Sequence, residues 1–233
     1  MRTAWWAKAP KPGNLGDVLT PVVLAGLGLP VRWAALGTAQ ILAIGSIIRF
    51  AERHHTVWGS GVMRASDRPN PRARYLAVRG PLTREAVKLA GSDCPEVYGD
   101  PALLLPFFHN DPVEKVHDVG LVPHYRDLAF YRNAGLPLIS PLTANPLKVV
   151  DQIRQCRSIL SSSLHGVVIA HAYGIPAAWI WTDRINGDGT KFRDHAAAVG
   201  VVLEPWKTLK DAIPVPPGPW SPEPLLAALE AIR

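Results

Sequence analysis

Ser158-Ile159-Leu160-Ser161-Ser162-Ser163-Leu164-His165-Gly166-Val167-Val168-Ile169-Ala170-His171-Ala172-Tyr173-Gly174-Ile175-Pro176-Ala177-Ala178-Trp179-Ile180-Trp181 is the stretch that decides the fold. Its first three residues form an apolar, strand-like run that breaks on serines. Ser162 or Ser163 suits a helix N-cap, and the apolar residues that follow run to Tyr173, where Gly174 and Pro176 stop a helix. Residues 177–181 are apolar again. Strand, helix and strand in so short a span make a βαβ unit, whose strands lie parallel.

The same alternation extends outward. Upstream, Val119-Gly120-Leu121-Val122 predicts a strand ending at Pro123-His124-Tyr125, Leu138-Ile139 predicts another, and Leu147, Val150 and Ile153 give residues 146–156 a helical period. Downstream, residues 191–199 predict a helix ending at Gly200, and the Pro-rich residues 214–224 lead to a helix over 225–232. In the first half, strands are expected at Ile41–Ile44, His55–Trp58, Tyr75–Val78 and Glu96–Tyr98. Pro81 starts a helix with Leu82, Ala86 and Leu89 on one face, and Gly91 ends it. The expected class is α/β, mostly parallel, in two Rossmann-like domains facing a cleft. They span residues 1–110 and 111–213, with residues 214–233 as a Pro-rich segment and helix. A chain of 233 residues accommodates two such minimal units.

Composition narrows the function. Hydrophobic residues make up 48% and charged residues 19%, which excludes a disordered chain. Cys94 and Cys156 are too few for a disulfide framework and lack the paired spacing of a zinc site. The N-terminus, Met1 to Lys8, carries no apolar signal-peptide core. Residues 33–48 and 158–182 are uncharged but interrupted by polar residues and turn formers, so neither reads as a membrane span. A cytoplasmic protein is expected. The formal charge is +6, and residues 49–88 hold all of that excess: nine basic side chains against three acidic ones. Such a concentration points to an anionic partner.

In parallel sheets ligands bind beyond the carboxyl ends of the strands. Ser46, Ser60, Arg79, Asp100, His124 and His165 all fall there. The serines and free N–H groups that open the helix at Leu164 form an anion site, and His165 in that first turn suits a general acid. Asn14-Leu15-Gly16-Asp17 is a glycine-containing loop entering a helix, with Asp17 as acceptor ligand, base or plain N-cap. Arg79 fits bidentate binding of carboxylate or phosphate, or a structural ion pair. Gly45-Ser46 and Gly59-Ser60-Gly61 are small-residue turns without a P-loop or dinucleotide fingerprint. No G-x-S-x-G elbow supports a serine hydrolase, and His54, His55, His171 and His195 lack metal-ligand spacing.

In order, Asn14-Leu15-Gly16-Asp17, Ile44-Gly45-Ser46-Ile47, Trp58-Gly59-Ser60-Gly61, Val78-Arg79-Gly80-Pro81, Tyr98-Gly99-Asp100-Pro101, Val122-Pro123-His124-Tyr125, Ser161 to Gly166 and Lys191-Phe192-Arg193-Asp194 resemble the motifs of the polysaccharide pyruvyl transferase family. The resemblance covers residues 10–200. It implies a GT-B-like fold and transfer of pyruvate from phosphoenolpyruvate onto two hydroxyls of a sugar as a cyclic ketal, with release of phosphate. It implies no cofactor and no metal. By motif, Asp17, Arg79, Leu164 and His165 resemble the donor site, with His165, Asp17 and Arg79 as the catalytic set. Ser162, Ser163, Gly45, Ser46, His124 and Asp100 are expected to bind substrate. The acceptor is a sugar, free or lipid-linked, and the basic segment suits peripheral contact with the anionic cytoplasmic face of a membrane.

Two other readings stay open. A GT-B nucleotide-sugar glycosyltransferase would share the fold, but no glutamate occurs between Lys115 and Leu203, where retaining enzymes commonly carry a pair. A non-enzymatic anion- or nucleic-acid-binding domain would use the basic segment. Trp58 and Tyr75 within it read as packing residues on strands, so no nucleic-acid partner is expected.

Overall fold

The computed structural model describes residues 1–4 and 11–233. Residues 5–8 of the N-terminus read above lie outside the described residues, as does Pro10 at the edge of the resembling region. Two wholly parallel sheets form the frame. The first has the order β2-β1-β3-β4-β5, with β1 Arg2–Ala4, β2 Arg32–Trp33, β3 Ile41–Leu42, β4 Thr56–Trp58 and β5 Arg74–Ala77. The second runs β6-β7-β8-β9, with β6 His117–Val122, β7 Cys156–Ser161, β8 Ala177–Ile180 and β9 Pro205–Trp206. The helices are α1 Leu15–Gly26, α2 Pro81–Leu89, α3 Pro146–Arg154, α4 Leu164–Ala172, α5 Thr190–Ala198 and α6 Glu223–Glu230. The parallel α/β class follows from the alternation read in the sequence. Among the described residues, no helix is long and apolar enough to cross a membrane.

Four local expectations change. Glu96–Tyr98 is not a strand; only Tyr98 forms a bridge, to Val78, and Leu138 likewise only bridges Leu121. Both segments are too short to extend a ladder. Helix α2 buries Thr83, Ala86 and Val87 rather than the face through Leu89, which is 75% exposed. The cause is Thr83, whose N–H and hydroxyl both bond Asp194 of α5 and turn that face inward. Ser163 occupies the N-cap of α4, yet its side chain makes no capping bond.

Burial ties the elements together. Helix α4 has every residue but Ala172 buried, because it lies between its own sheet and the turn Pro101–Phe107. The largest core cluster accordingly joins Leu15, Leu19 and Val23 of α1, Ala102 and Leu105 of that turn, and Val167 and Val168 of α4. Helix α6 returns to the first sheet, where Leu225 and Leu229 pack with Ile41, Trp58 and Ala77. Trp58 donates its indole N–H to the Leu225 carbonyl at 2.9 Å.

Register then levels the strand ends. Val122 pairs with Ser161, and Ser161 with Trp179, so the residues after Val122 and after Ser161 emerge side by side. The backbone N–H of His124 donates to Ser162 Oγ at 2.9 Å. In the first sheet, Gly61 N–H and Ser60 Oγ both donate to the Gly45 carbonyl, and Arg79 N–H donates to the Ser60 carbonyl. Three strand-end loops are stitched into one edge.

Candidate functional site

A cavity of about 260 Å³ opens at these edges. Asp17, Gly45, Ser46, His124, Ser163, Leu164 and His165 line it, so seven of the ten residues expected from sequence converge there. Lys191, from the first turn of α5, joins them. Tyr125, Arg126, Arg49, Phe50 and Asn186 complete much of the remaining wall.

Its floor is the start of α4. The first N–H groups of a helix have no intrahelical acceptor, and Leu164 and His165 belong to that turn and line the cavity. Each serine of the triplet has a separate task. Ser161 Oγ lies 2.6 Å from the Val122 carbonyl and accepts the Ser163 N–H at 3.0 Å, which shapes the turn from β7 into α4. Ser162 Oγ donates to Asp127 at 2.8 Å, fully buried, and so pins the His124 loop rather than touching the cavity. Ser163 alone presents to the open space.

Arg79 also differs from the expected direct contact. It is 0% exposed and paired with Asp194, with Nη2 at 3.0 Å and Nε at 3.1 Å. Its Nη1 donates to Ser46 Oγ at 2.8 Å, and Nη2 donates to the Val62 carbonyl. The guanidinium therefore acts on the cavity through Ser46. Asp100, expected at the substrate, lies behind His165 instead. Its Oδ1 accepts the Ala102 N–H at 3.0 Å, and its Oδ2 stands 3.5 Å from His165 Nε2.

Electrostatics separate the groups by role. Burial raises the Asp17 carboxyl above its ordinary value, against opposing effects from the Asn14 amide and the His165 charge. The Asn14 amide donates to Asp17 at 2.9 Å. Burial and then the neighbouring Arg79 lower the Lys191 ammonium to about 8. Burial, Lys191 and Arg126 push His124 down to about 3, so this imidazole is neutral near pH 7. A base with so low a pKa accepts a proton poorly, whereas a raised carboxylate lies closer to a useful range. Gly16 makes room for His165: a Cβ there would meet the ring's Nδ1 at 2.0 Å. Gly45 holds φ at +105°, a left-handed conformation natural to glycine, and keeps the space beside Asp17 open.

The arrangement thus provides the cations Lys191, Arg49 and Arg126 and N–H donors for an anion, an imidazole beside them, and a raised carboxylate in the same wall. Sequence reasoning noticed Lys191 only as part of a motif. Its role comes from α5 folding its first turn over the cavity, which no local pattern encodes. The buried pair of His171 and His195, 3.0 Å apart, lies outside the cavity lining.

The comparisons bear on this chemistry. The family model described as polysaccharide pyruvyl transferase matches residues 69–184, which contain Arg79, Asp100, His124 and the Ser161–Gly166 motif. The succinoglycan biosynthesis protein ExoV of Rhizobium meliloti is 28% identical over 222 residues, 88% of this chain and 67% of the relative. An uncharacterized protein, L143, of Acanthamoeba polyphaga mimivirus is 28% identical over 177 residues, 70% of this chain and 61% of the relative. The chain thus spans about two thirds of the length of these curated relatives. No solved structure matches. With its motif order, its strand-end cavity and the family model in agreement, the chain belongs to the polysaccharide pyruvyl transferase family.

Proposed function

We propose that this protein transfers the pyruvyl group of phosphoenolpyruvate to two hydroxyls of a sugar, forming a cyclic ketal and releasing phosphate. The observation that carries this reading is the meeting of Lys191, Ser46, Ser163, His165 and Asp17 around one cavity. Phosphoenolpyruvate carries a carboxylate and a phosphate, which suit an ammonium, hydroxyls and free helix N–H groups. Lys191 and the α4 N-terminus hold the donor, and Arg79 orients Ser46 toward it.

Protonated His165 delivers its proton to the methylene carbon and C2 becomes electrophilic. A sugar hydroxyl adds to C2 and gives its proton to Asp17. The bond from C2 to the bridging oxygen then breaks, and phosphate leaves with that oxygen. The second hydroxyl closes the ketal and gives its proton to the now neutral His165, which restores the imidazolium. Neutral His124 orients the acceptor rather than taking its proton. No cofactor or metal is required by these steps. We read the two parallel sheets as Rossmann-like halves of a GT-B-like arrangement, with the acceptor entering past Tyr125 and Arg126. The relative named for succinoglycan biosynthesis supports an extracellular polysaccharide, or its lipid-linked precursor, as the acceptor class. A cytoplasmic site of action, with the exposed arginines of residues 49–74 against an anionic membrane face, fits such an acceptor.

Incubation with phosphoenolpyruvate and a panel of free, nitrophenyl and lipid-linked sugars tests the proposal. Phosphate release coupled to a mass gain of one pyruvyl ketal supports it. Release of a nucleoside diphosphate from a sugar nucleotide, without use of phosphoenolpyruvate, refutes it.

A further inference from the structure

We propose that Asp100 is a positioning residue that receives the Nε2–H of His165 and so leaves Nδ1 as the nitrogen that works at the cavity. The consequence for turnover rests on the pyruvyl-transfer reading; the tautomer itself does not.

Two buried polar atoms without a hydrogen bond face one another here, Asp100 Oδ2 and His165 Nε2, at 3.5 Å. Buried polar groups rarely stay unpaired, since each costs its full desolvation. Among the described residues neither atom has a hydrogen-bond partner. A carboxylate oxygen only accepts, so the shared proton belongs on Nε2. The separation is within ion-pair reach, and catalytic hydrogen bonds of this kind commonly tighten once substrate binds.

Asp100 is fixed for the task. It is 0% exposed, and its Oδ1 caps the turn Pro101–Phe107 through the Ala102 N–H. That cap leaves Oδ2 aimed at the imidazole. On the other side of the ring, Nδ1 lies against Gly16, next to the cavity-lining Asp17. Because Nε2 is sealed from solvent, only Nδ1 can meet a substrate in the cavity that His165 lines. Nδ1 takes a proton from solvent and passes it to the donor, while the Nε2–H stays with Asp100 and supports the imidazolium. The other titratable groups that act on the ring are Asp17 from α1 and His195 from α5, the latter held neutral by burial.

The test compares Asp100→Asn with the wild-type protein. The asparagine carbonyl can keep the Ala102 cap, but its amide would offer a hydrogen to Nε2 and drive the ring proton to Nδ1. Nitrogen-15 histidine NMR reads the tautomer and pKa of His165, whose signals are assigned with His165→Gln. The wild-type ring should carry its proton on Nε2. Asp100→Asn should move it to Nδ1, lower the His165 pKa, and cut kcat about a hundredfold or more with little change in the KM for phosphoenolpyruvate. Asp100→Ser, which retains a capping oxygen, should lose the tautomer preference and guards against misfolding of the first variant. A wild-type ring protonated on Nδ1, or a tautomer and pKa unmoved in both variants, overturns the proposal. The NMR reading needs no turnover. The expected tautomer in a protein without transfer activity supports the Asp100–His165 pair and refutes the pyruvyl-transfer reading alone.

Discussion

Removing the Asp194 carboxylate should damage this protein far more than its distance from the cavity suggests. Asp194 of α5 accepts from Arg79 Nε at 3.1 Å, Arg79 Nη2 at 3.0 Å, Thr83 N–H at 2.9 Å and Thr83 Oγ1 at 2.6 Å. Both members of the ion pair are 0% exposed. Asp194→Ala leaves a guanidinium buried with one carbonyl and one hydroxyl as partners, and it orphans the Thr83 N–H. Breaking a buried pair from one side costs about 3–5 kcal/mol. With a urea slope of about 3 kcal/mol per molar, the unfolding midpoint falls by roughly 1–1.7 M. The comparison variant is Glu96→Ala. Its partner Arg84 lies 3.0 Å away, but Glu96 is 71% exposed, so the loss stays below about 1 kcal/mol. Reversible urea unfolding followed by tryptophan fluorescence measures both. A loss for Asp194→Ala no larger than that for Glu96→Ala would refute the claim that this pair fastens α2 to α5 beneath the cavity.

Other outcomes follow from the same geometry. His165→Ala should abolish most turnover, on the order of 10²–10⁴-fold, while circular dichroism and thermal unfolding stay near wild type. Arg79→Lys retains a charge but loses the fork that binds Asp194 and Ser46 together, so the KM for phosphoenolpyruvate should rise and the unfolding midpoint fall. Calorimetric affinity for phosphoenolpyruvate should weaken as pH rises through about 8, where Lys191 loses its proton, and Lys191→Met should remove that dependence. Burial holds His171 near 4 and His195 well below 6.5 in the folded state. The unfolded chain binds protons first as pH falls from about 6.5. Stability should therefore be full above that pH and decline toward about 4, by up to about 1.4 kcal/mol per pH unit for each histidine. Urea midpoints of His195→Gln across that window should show a shallower decline.

The sequence made the alternation legible because apolar runs and turn formers mark strands and helices locally. It also brought seven strand-end and helix-start residues toward one place, since parallel register aligns those ends. What it did not show depends on distance. Strands β1, β2 and β9 are two or three residues long and exist only through their pairing. Arg79 and Asp194 are 115 positions apart, and nothing near either announces the other. Asp100 looked like a substrate ligand because polar strand-end residues usually face the cleft; its cap on Ala102 turns it behind His165. The basic excess of residues 49–88 likewise divides. Arg79 is buried, Arg84 pairs with Glu96, and Arg49 reaches the cavity, so the segment is no uniform patch.

The most direct measurement of the central claim is transfer in heavy water from phosphoenolpyruvate carrying a heavy-oxygen label at its bridging position. Protonation at the methylene carbon followed by loss of phosphate predicts a ketal methyl bearing one deuterium and all of the bridging label in the released phosphate. Label retained on the pyruvyl carbon, or a ketal methyl without deuterium, would contradict the account.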